Sequence, residues 1–213
     1  MSHIAIMGNG PVELIPDLSD CEPDVWIGAD RGALVLLEKG ITPDYAVGDF
    51  DSMSFDEQAK VERGADVFEK YPVEKEETDL DIALNKAYDL HAETISLFGV
   101  TGGRLDHALI NMQLLYPMKS RNVSGAIIDQ QNQLELAMPG EHEIRYDMDY
   151  PTISFIPFTQ QVKGLTLHGF YYGLADKTLL WGSTRCISNR LISNSGTFSF
   201  DEGILLIIKS CDG

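Results

Sequence analysis

Through residue 128, short β-branched or apolar runs alternate with helical patterns, and this alternation constrains the chain more than any other feature. The strand-like runs are 4–7, 25–29, 45–47, 66–68, 94–98 and 125–128. Between them, 33–39 closes at Gly40 and 55–63 closes at Gly64, as short helices with a glycine at C′ do. Leu80, Ala83, Leu84 and Ala87 follow the i, i+3, i+4, i+7 spacing of one helix face, and Thr78 with Asp81 forms a capping-box signature ahead of them. A further amphipathic pattern over 105–115 turns Leu105, Ala108, Leu109, Met112 and Leu115 toward a core and is expected to stop before Pro117. Strands and helices in alternation give a mainly parallel sheet covered by helices.

Beyond Asp129 the helical patterns cease. Runs at 133–137, 152–158, 162–167, 197–200 and 204–209 are strand-like, with turn residues between them. The expectation is two domains, an α/β domain over 1–128 and an all-β sandwich or partial barrel over 129–213. With 44% hydrophobic residues among 213, both can bury a core. Acidic residues outnumber basic ones by 33 to 16, for a net charge of −17, and the excess lies in the α/β half. Such a surface argues against nucleic acid as a partner and suits a cationic small molecule, or an anion carried with a metal. The apolar run 204–208 is far short of the roughly 20 residues of a bilayer span, so no membrane association is expected. No basic segment precedes the turn Gly8-Asn9-Gly10, so no secretory signal is read and a cytoplasmic setting is expected. Cys21, Cys186 and Cys211 form no C-x-x-C pair and read as reduced thiols.

In open parallel sheets ligands sit beyond the carboxyl ends of the strands, so the residues that follow each run carry the information. After 45–47 comes Gly48-Asp49-Phe50-Asp51-Ser52, whose two carboxylates share a side if the backbone stays extended. Such a pair suits Mg²⁺ beside a phosphate; alternatively the string is a polar loop with Ser52 or Ser54 as a helix N-cap. In Glu74 to Asp81, capping and the helix dipole account for much of the acid. Lys75 remains as a group that could neutralise a phosphate, and Asp79 as a further carboxylate. Gly99 to Leu105 bridges a strand and a helix: its glycines admit an anion to backbone N–H groups, and Arg104 offers a forked cation. No Walker A string is present, and His107, inside the helical pattern, reads as structural. In the β half, Trp181 to Asn189 offers small hydroxyl and amide groups to a heteroaromatic ring. Asp30 and Arg31 read as a rim or an ordinary loop.

Taken in order, several strings carry a resemblance. They are Gly28-Ala29-Asp30, Pro43-Asp44, Gly48 to Ser52, Lys75 with Thr78-Asp79, Gly102-Gly103-Arg104 with Asp106-His107, Gly182 to Arg185, and Ile187-Ser188-Asn189. Over essentially the whole chain the sequence resembles the bacterial thiamine pyrophosphokinase family. It departs at Glu76, where an aspartate is common, and at Arg190, where a glutamate often follows Ser-Asn. The resemblance implies transfer of a pyrophosphoryl group from ATP to the hydroxyethyl oxygen of thiamine, giving thiamine pyrophosphate and AMP. It assigns Asp49, Asp51 and Asp79 to Mg²⁺, with Lys75 and Arg104 offsetting charge at the transferred group. It assigns Asp30, Thr78, Gly102, Gly103, Arg104 and Asp106 to ATP, all within 1–128, and Ser183, Thr184, Ser188 and Asn189 to thiamine, within 129–213. It also implies a homodimer with thiamine near the subunit interface. Two other readings stay open, a pyrophosphokinase for a pterin alcohol and a non-enzymatic thiamine or nucleotide sensor. The string 182–189 speaks against the first, and the three carboxylates speak against the second.

Overall fold

The computed structural model describes residues 2–74 and 76–212. Lys75 lies outside the described residues. The chain divides into two compact units, Met1–Gln130 and Gln131–Gly213.

The first unit is built on six parallel strands: β1 (His3–Met7), β2 (Val25–Ala29), β3 (Tyr45–Gly48), β4 (Val67–Lys70), β5 (Thr94–Phe98) and β6 (Ser124–Ile128). Their order across the sheet is β4-β3-β2-β1-β5-β6. Three strands, β2 to β4, step outward from β1, and the chain then returns to lay β5 on the other side of β1. A crevice opens where the order reverses, between β1 and β5. The central strands are buried from their second residue onward, so they read as continuous apolar runs.

Five helices join these strands: α1 (Gly32–Glu38), α2 (Phe55–Gly64), α3 (Asp79–Asp89), α4 (Leu105–Gln113) and α5 (Leu115–Ser120). α3 begins with the expected capping box: Thr78 accepts from the Asp81 amide, and the Asp81 side chain accepts from the Thr78 amide. α1 packs so closely on β1 that a Cβ at Gly32 would collide with the Met7 carbonyl. Gly40, at φ 78°, is the left-handed residue that ends α1. Gly64 departs from expectation: it lies inside α2, and its missing side chain makes room for Leu37. Pro117 does not stop the helical segment either. The chain restarts at Leu115, so Pro117 falls in the first turn of α5, where its missing N–H costs nothing. Ala108 and Leu115 are buried as expected, whereas Leu105 and Leu109 are exposed at 78% and 59%.

The second unit is antiparallel. β7 (Asn132–Ala137), β13 (Leu205–Ser210) and β9 (Thr152–Pro157) pair in that order. A four-stranded sheet runs β11 (Leu174–Leu180), β10 (Gln161–His168), β12 (Ser195–Phe200) and β8 (Gly140–Arg145). Residues from both sets of strands share one core that includes Phe155, Val162, Phe198, Phe200 and Leu205. β9 and β12 alternate between buried and less buried residues, as strands with one core-facing side do. β8 and β11 are additional to the strands expected from sequence. Cys21, Cys186 and Cys211 are thiols, and no helix among the described residues is long and apolar enough to cross a membrane.

Candidate active site

A cleft of about 470 Å³ opens at the β1/β5 reversal. Its floor is two glycine turns. Gly8-Asn9-Gly10 follows β1 and Gly99 to Gly103 follows β5, and both line the cleft. The turns are packed backbone on backbone: Gly10 N–H donates to the Gly99 carbonyl at 2.6 Å, and a Cβ at Gly8 or Gly10 would come within 2.7 Å of that oxygen. Gly102 and Gly103 are both left-handed, at φ 76° and 63°, a pairing that glycine adopts without strain. Thr101, buried, donates to Asp129 at 2.8 Å, and Asn111 of α4 donates to the Val100 carbonyl at 2.8 Å, so the second turn is held on two sides.

One wall is acidic. Asp30 and Asp79 line the cleft, and Asp49 joins them, each of the three bringing a carboxylate oxygen to within 4.8 Å of the others. They come from three places: Asp30 follows β2, Asp49 follows β3 and Asp79 opens α3. The local backbone is unusual at each strand end. Asp30 is left-handed at φ 48°, and Gly48, at φ 151°, leaves only 3.1 Å between a built Cβ and the Asp30 backbone. Phe50 is also left-handed, at φ 59°, with its ring buried and stacked 4.5 Å from that of Phe68. With that turn the backbone does not stay extended through Asp49-Phe50-Asp51, the condition on which the two carboxylates would share a side. Asp51 is exposed and lies outside the group of three, and its amide donates to Asp49 Oδ1 at 3.1 Å.

Asp30 is 8% exposed. Ser52 Oγ donates to its Oδ2 at 2.7 Å, while Oδ1 has no hydrogen-bond partner. Burial pushes the Asp30 carboxyl above its ordinary value; the Ser52 hydroxyl and the Arg31 backbone amide oppose that shift, and the charges of Asp79 and Asp49 add to it. Three hard oxygen donors, one of them buried with an unpartnered atom, fit a divalent cation of the Mg²⁺ or Ca²⁺ kind.

Arg104 stands at the rim, 74% exposed in its side chain, forked onto Asp106 through contacts of 2.6 and 3.1 Å. The guanidinium and the His107 amide hold the Asp106 carboxyl at about 2. Asp106 itself does not line the cleft, whereas Thr78, Gly102, Gly103, Arg104 and His107 do. His107 is therefore an exposed cleft residue and not a core histidine.

In the second unit, a cavity of about 400 Å³ is lined by Tyr171, Tyr172, Leu174, Arg185, Ile187 and Asn189, among others. Asn189 is 2% exposed and is used by the backbone around it. Its Oδ1 accepts from the amides of Tyr172 and Arg190, and its Nδ2 donates to the Tyr172 carbonyl. Ser183 accepts from the Arg185 amide at 3.3 Å. Ser188 is exposed and left-handed at φ 55°, with its amide donating to Ser154 Oγ. Ser183, Thr184 and Ser188 do not line the cavity. The Arg190 guanidinium lies 4.4 Å from the centre of the Tyr171 ring.

Residues 21–127 match the family model described as Thiamin pyrophosphokinase, catalytic domain, and residues 141–205 match Thiamin pyrophosphokinase, vitamin B1 binding domain. The chain belongs to the thiamin pyrophosphokinase family. The thiamine pyrophosphokinase of Bacillus subtilis (strain 168) is 46% identical over 214 residues, with both chains covered in full. The crystal structure of the Bacillus subtilis thiamine pyrophosphokinase superposes with a TM-score of 0.94 at 45% identity, covering 100% of each chain. That of the Geobacillus thermodenitrificans thiamin pyrophosphokinase gives 0.89 at 44% identity, covering 99% of this chain and 98% of that one. For a thiamin pyrophosphokinase, the sequence reading of the site has two gaps. Gly8-x-Gly10 lines the cleft, yet was read only as a turn; a G-x-G immediately after the first strand was the available signal. Asp30, a rim or an ordinary loop by its residues and an ATP group by the resemblance, joins the carboxylate cluster; a single aspartate in a loop gives no sign of its burial.

Proposed function

We propose that this chain transfers the pyrophosphoryl group of Mg²⁺-bound ATP to the hydroxyethyl oxygen of thiamine, releasing thiamine pyrophosphate and AMP. The observation that carries the proposal is the meeting of two glycine turns with Asp30 and Asp79 in one cleft at the strand-order reversal, with Asp49 clustered on those two carboxylates. Backbone N–H groups of the turns suit the triphosphate oxygens, and Arg104 exchanges its fork on Asp106 for a phosphate. Asp30, Asp49 and Asp79 would hold Mg²⁺, with Asp51 exposed on the same loop as a further ligand. A bound divalent cation supplies charge neutralisation for the transferring group. Lys75 adds a second positive charge in this reading. Thr78 caps α3 and so fixes Asp79 at the helix N-terminus. Transfers of this kind rely on positioning and electrostatics, so no nucleophilic side chain is required.

The second unit takes the thiamine ring in this reading. The match of residues 141–205 to the vitamin B1 binding domain favours thiamine over a pterin alcohol as acceptor, and the acidic trio favours an enzyme over a sensor. Asn189 lines the cavity and holds the Tyr171-Tyr172 turn, and Ser183, Thr184 and Ser188 remain the further groups proposed for thiamine. We expect a homodimer, supported by the exposed apolar residues Leu105, Leu109 and Ile110 of α4. Sedimentation equilibrium checks it: two chains per particle are expected, and Leu109→Glu should shift the population toward one. Cysteines held as thiols and the use of ATP suit a cytoplasmic setting.

ATP labelled at the β-phosphorus tests the reaction. The label should appear in thiamine pyrophosphate, with unlabelled AMP formed in equal amount. ADP with thiamine monophosphate would refute pyrophosphoryl transfer.

A further inference from the structure

Among the three clustered carboxylates, Asp30 is the one whose orientation the structure explains, and the explanation runs through Ser52. The loop after β3 is anchored twice before it reaches this serine. Gly48 passes against the Asp30 backbone, and the Phe50 ring is buried on Phe68. The chain is thereby turned back so that Ser52 Oγ reaches Asp30 Oδ2 at 2.7 Å. Asp30 cannot move away readily, since its left-handed backbone is tied through its amide to the Val47 carbonyl at 2.8 Å. Of its two carboxylate oxygens, one is therefore engaged by the protein and the other, although buried, is not.

We infer that Ser52 is a positioning residue: by occupying Oδ2 it reserves Oδ1 of Asp30 for the divalent cation shared with Asp49 and Asp79. The inference rests on the cation reading given above. A carboxylate with both oxygens unengaged can rotate about its Cβ–Cγ bond, whereas one held by a hydroxyl presents a single oxygen in a fixed direction. Partners that orient ligating carboxylates typically change metal affinity by about 10- to 100-fold. The Ser52 hydroxyl touches neither substrate in this scheme and acts only through Asp30.

Mn²⁺ serves as the probe, its free concentration read by electron paramagnetic resonance in the presence of α,β-methylene-ATP. Wild type, Ser52→Ala, Ser52→Thr, Asp30→Asn and the Ser52→Ala/Asp30→Asn double variant are compared, with a thermal melt of each. Ser52→Ala should weaken Mn²⁺ binding about 10-fold or more, and Ser52→Thr, which keeps the hydroxyl, should restore it to within about threefold. In the Asp30→Asn background, adding Ser52→Ala should change nothing further, because the serine then has no carboxylate to orient. In turnover assays the apparent KM for Mg²⁺ should rise in Ser52→Ala while that for thiamine stays constant. Wild-type affinity in Ser52→Ala overturns the inference. So does an equal loss in the Asp30→Asn background, which would mean that Ser52 acts on the loop and not on Asp30. Absence of Mn²⁺ binding in the wild type overturns the cation reading itself and is seen before any variant is compared. Should Ser52→Ala melt below the assay temperature, Ser52→Cys, nearly isosteric but a weak donor, replaces it in the same comparisons.

Discussion

Asp30 in the first unit and Asn189 in the second are both polar, nearly fully buried and set beside a cavity. They differ in what their side chains have left over. Asn189 accepts two backbone amides and donates to a backbone carbonyl, so its amide holds the Tyr171-Tyr172 turn in place. Asp30 has one oxygen on Ser52 and one with no partner. Burial alone does not separate scaffold from site; the unmet hydrogen-bonding capacity does, because a folded protein rarely leaves such a group unpaired without a use for it.

The largest effect should come from the acidic wall. Asp49→Asn and Asp79→Asn are each expected to lower kcat by about 100-fold or more, the scale of losing one preorganised electrostatic contact, with melting temperatures close to wild type. If either variant lost stability instead of turnover, Asp30 and Asn189 would have to be placed in the same class. Next comes Asn189→Ala. It strands three backbone groups around the turn, so urea melts should show a loss of about 2–3 kcal/mol, and the KM for thiamine should rise more than that for ATP. Unchanged stability would break the comparison from the other side. A subtler effect concerns Glu57, which accepts from Arg31 at 2.6 Å and caps α2 through Ser54. The guanidinium and the cap depress its carboxyl from 4.5 to about 2. A depressed folded value gives stability that is present above pH 4.5 and lost as pH falls toward 2. Urea midpoints measured between pH 6 and pH 3 should therefore fall less in Glu57→Gln than in wild type. The smallest change is Gly103→Ala: nothing lies within 4 Å of the added methyl, so only the left-handed backbone resists it. A loss of about 1 kcal/mol is expected by denaturant titration, with nucleotide KM telling whether the second turn still fits.

The parts of the fold legible in the sequence are those where burial and periodicity coincide. β1, β2 and β5 are buried and β-branched, and α3 has both its apolar stripe and its capping box. β8 and β11 were not legible because both are edge strands. Gly140–Arg145 and Leu174–Leu180 carry charged, mostly exposed residues that protect an edge from further pairing, and this erases the alternation a reader looks for. Pro117 misled because a proline that ends one helix and a proline in the first turn of the next share one local sequence. In the site, the place of Asp49 and of the Gly102-Gly103-Arg104 turn after strands, and of Asp79 at a helix start, is legible in the sequence. The separation of Asp51 from Asp49 is not, because it depends on a left-handed phenylalanine whose cause is the Phe68 ring, far along the chain. The structural work of Asn189 is hidden for a similar reason: its hydrogen-bond partners at Tyr172 are 17 residues away.

The pairing of β1 with both β2 and β5 also bears on the order of events during synthesis. Ile4 meets Val25 early, but His3 pairs with Thr94, so the central strand of the sheet waits for some ninety further residues before its second edge is covered. At roughly 5 to 20 residues per second on the ribosome, that interval is about 5 to 20 seconds. In its last part, between Lys70 and Thr94, a nascent chain already holding the β1 to β4 segments exposes one apolar strand edge. The ribosome-bound first hundred residues should therefore be the species most dependent on chaperones, and the strand that completes the cleft is the same one that ends this exposure.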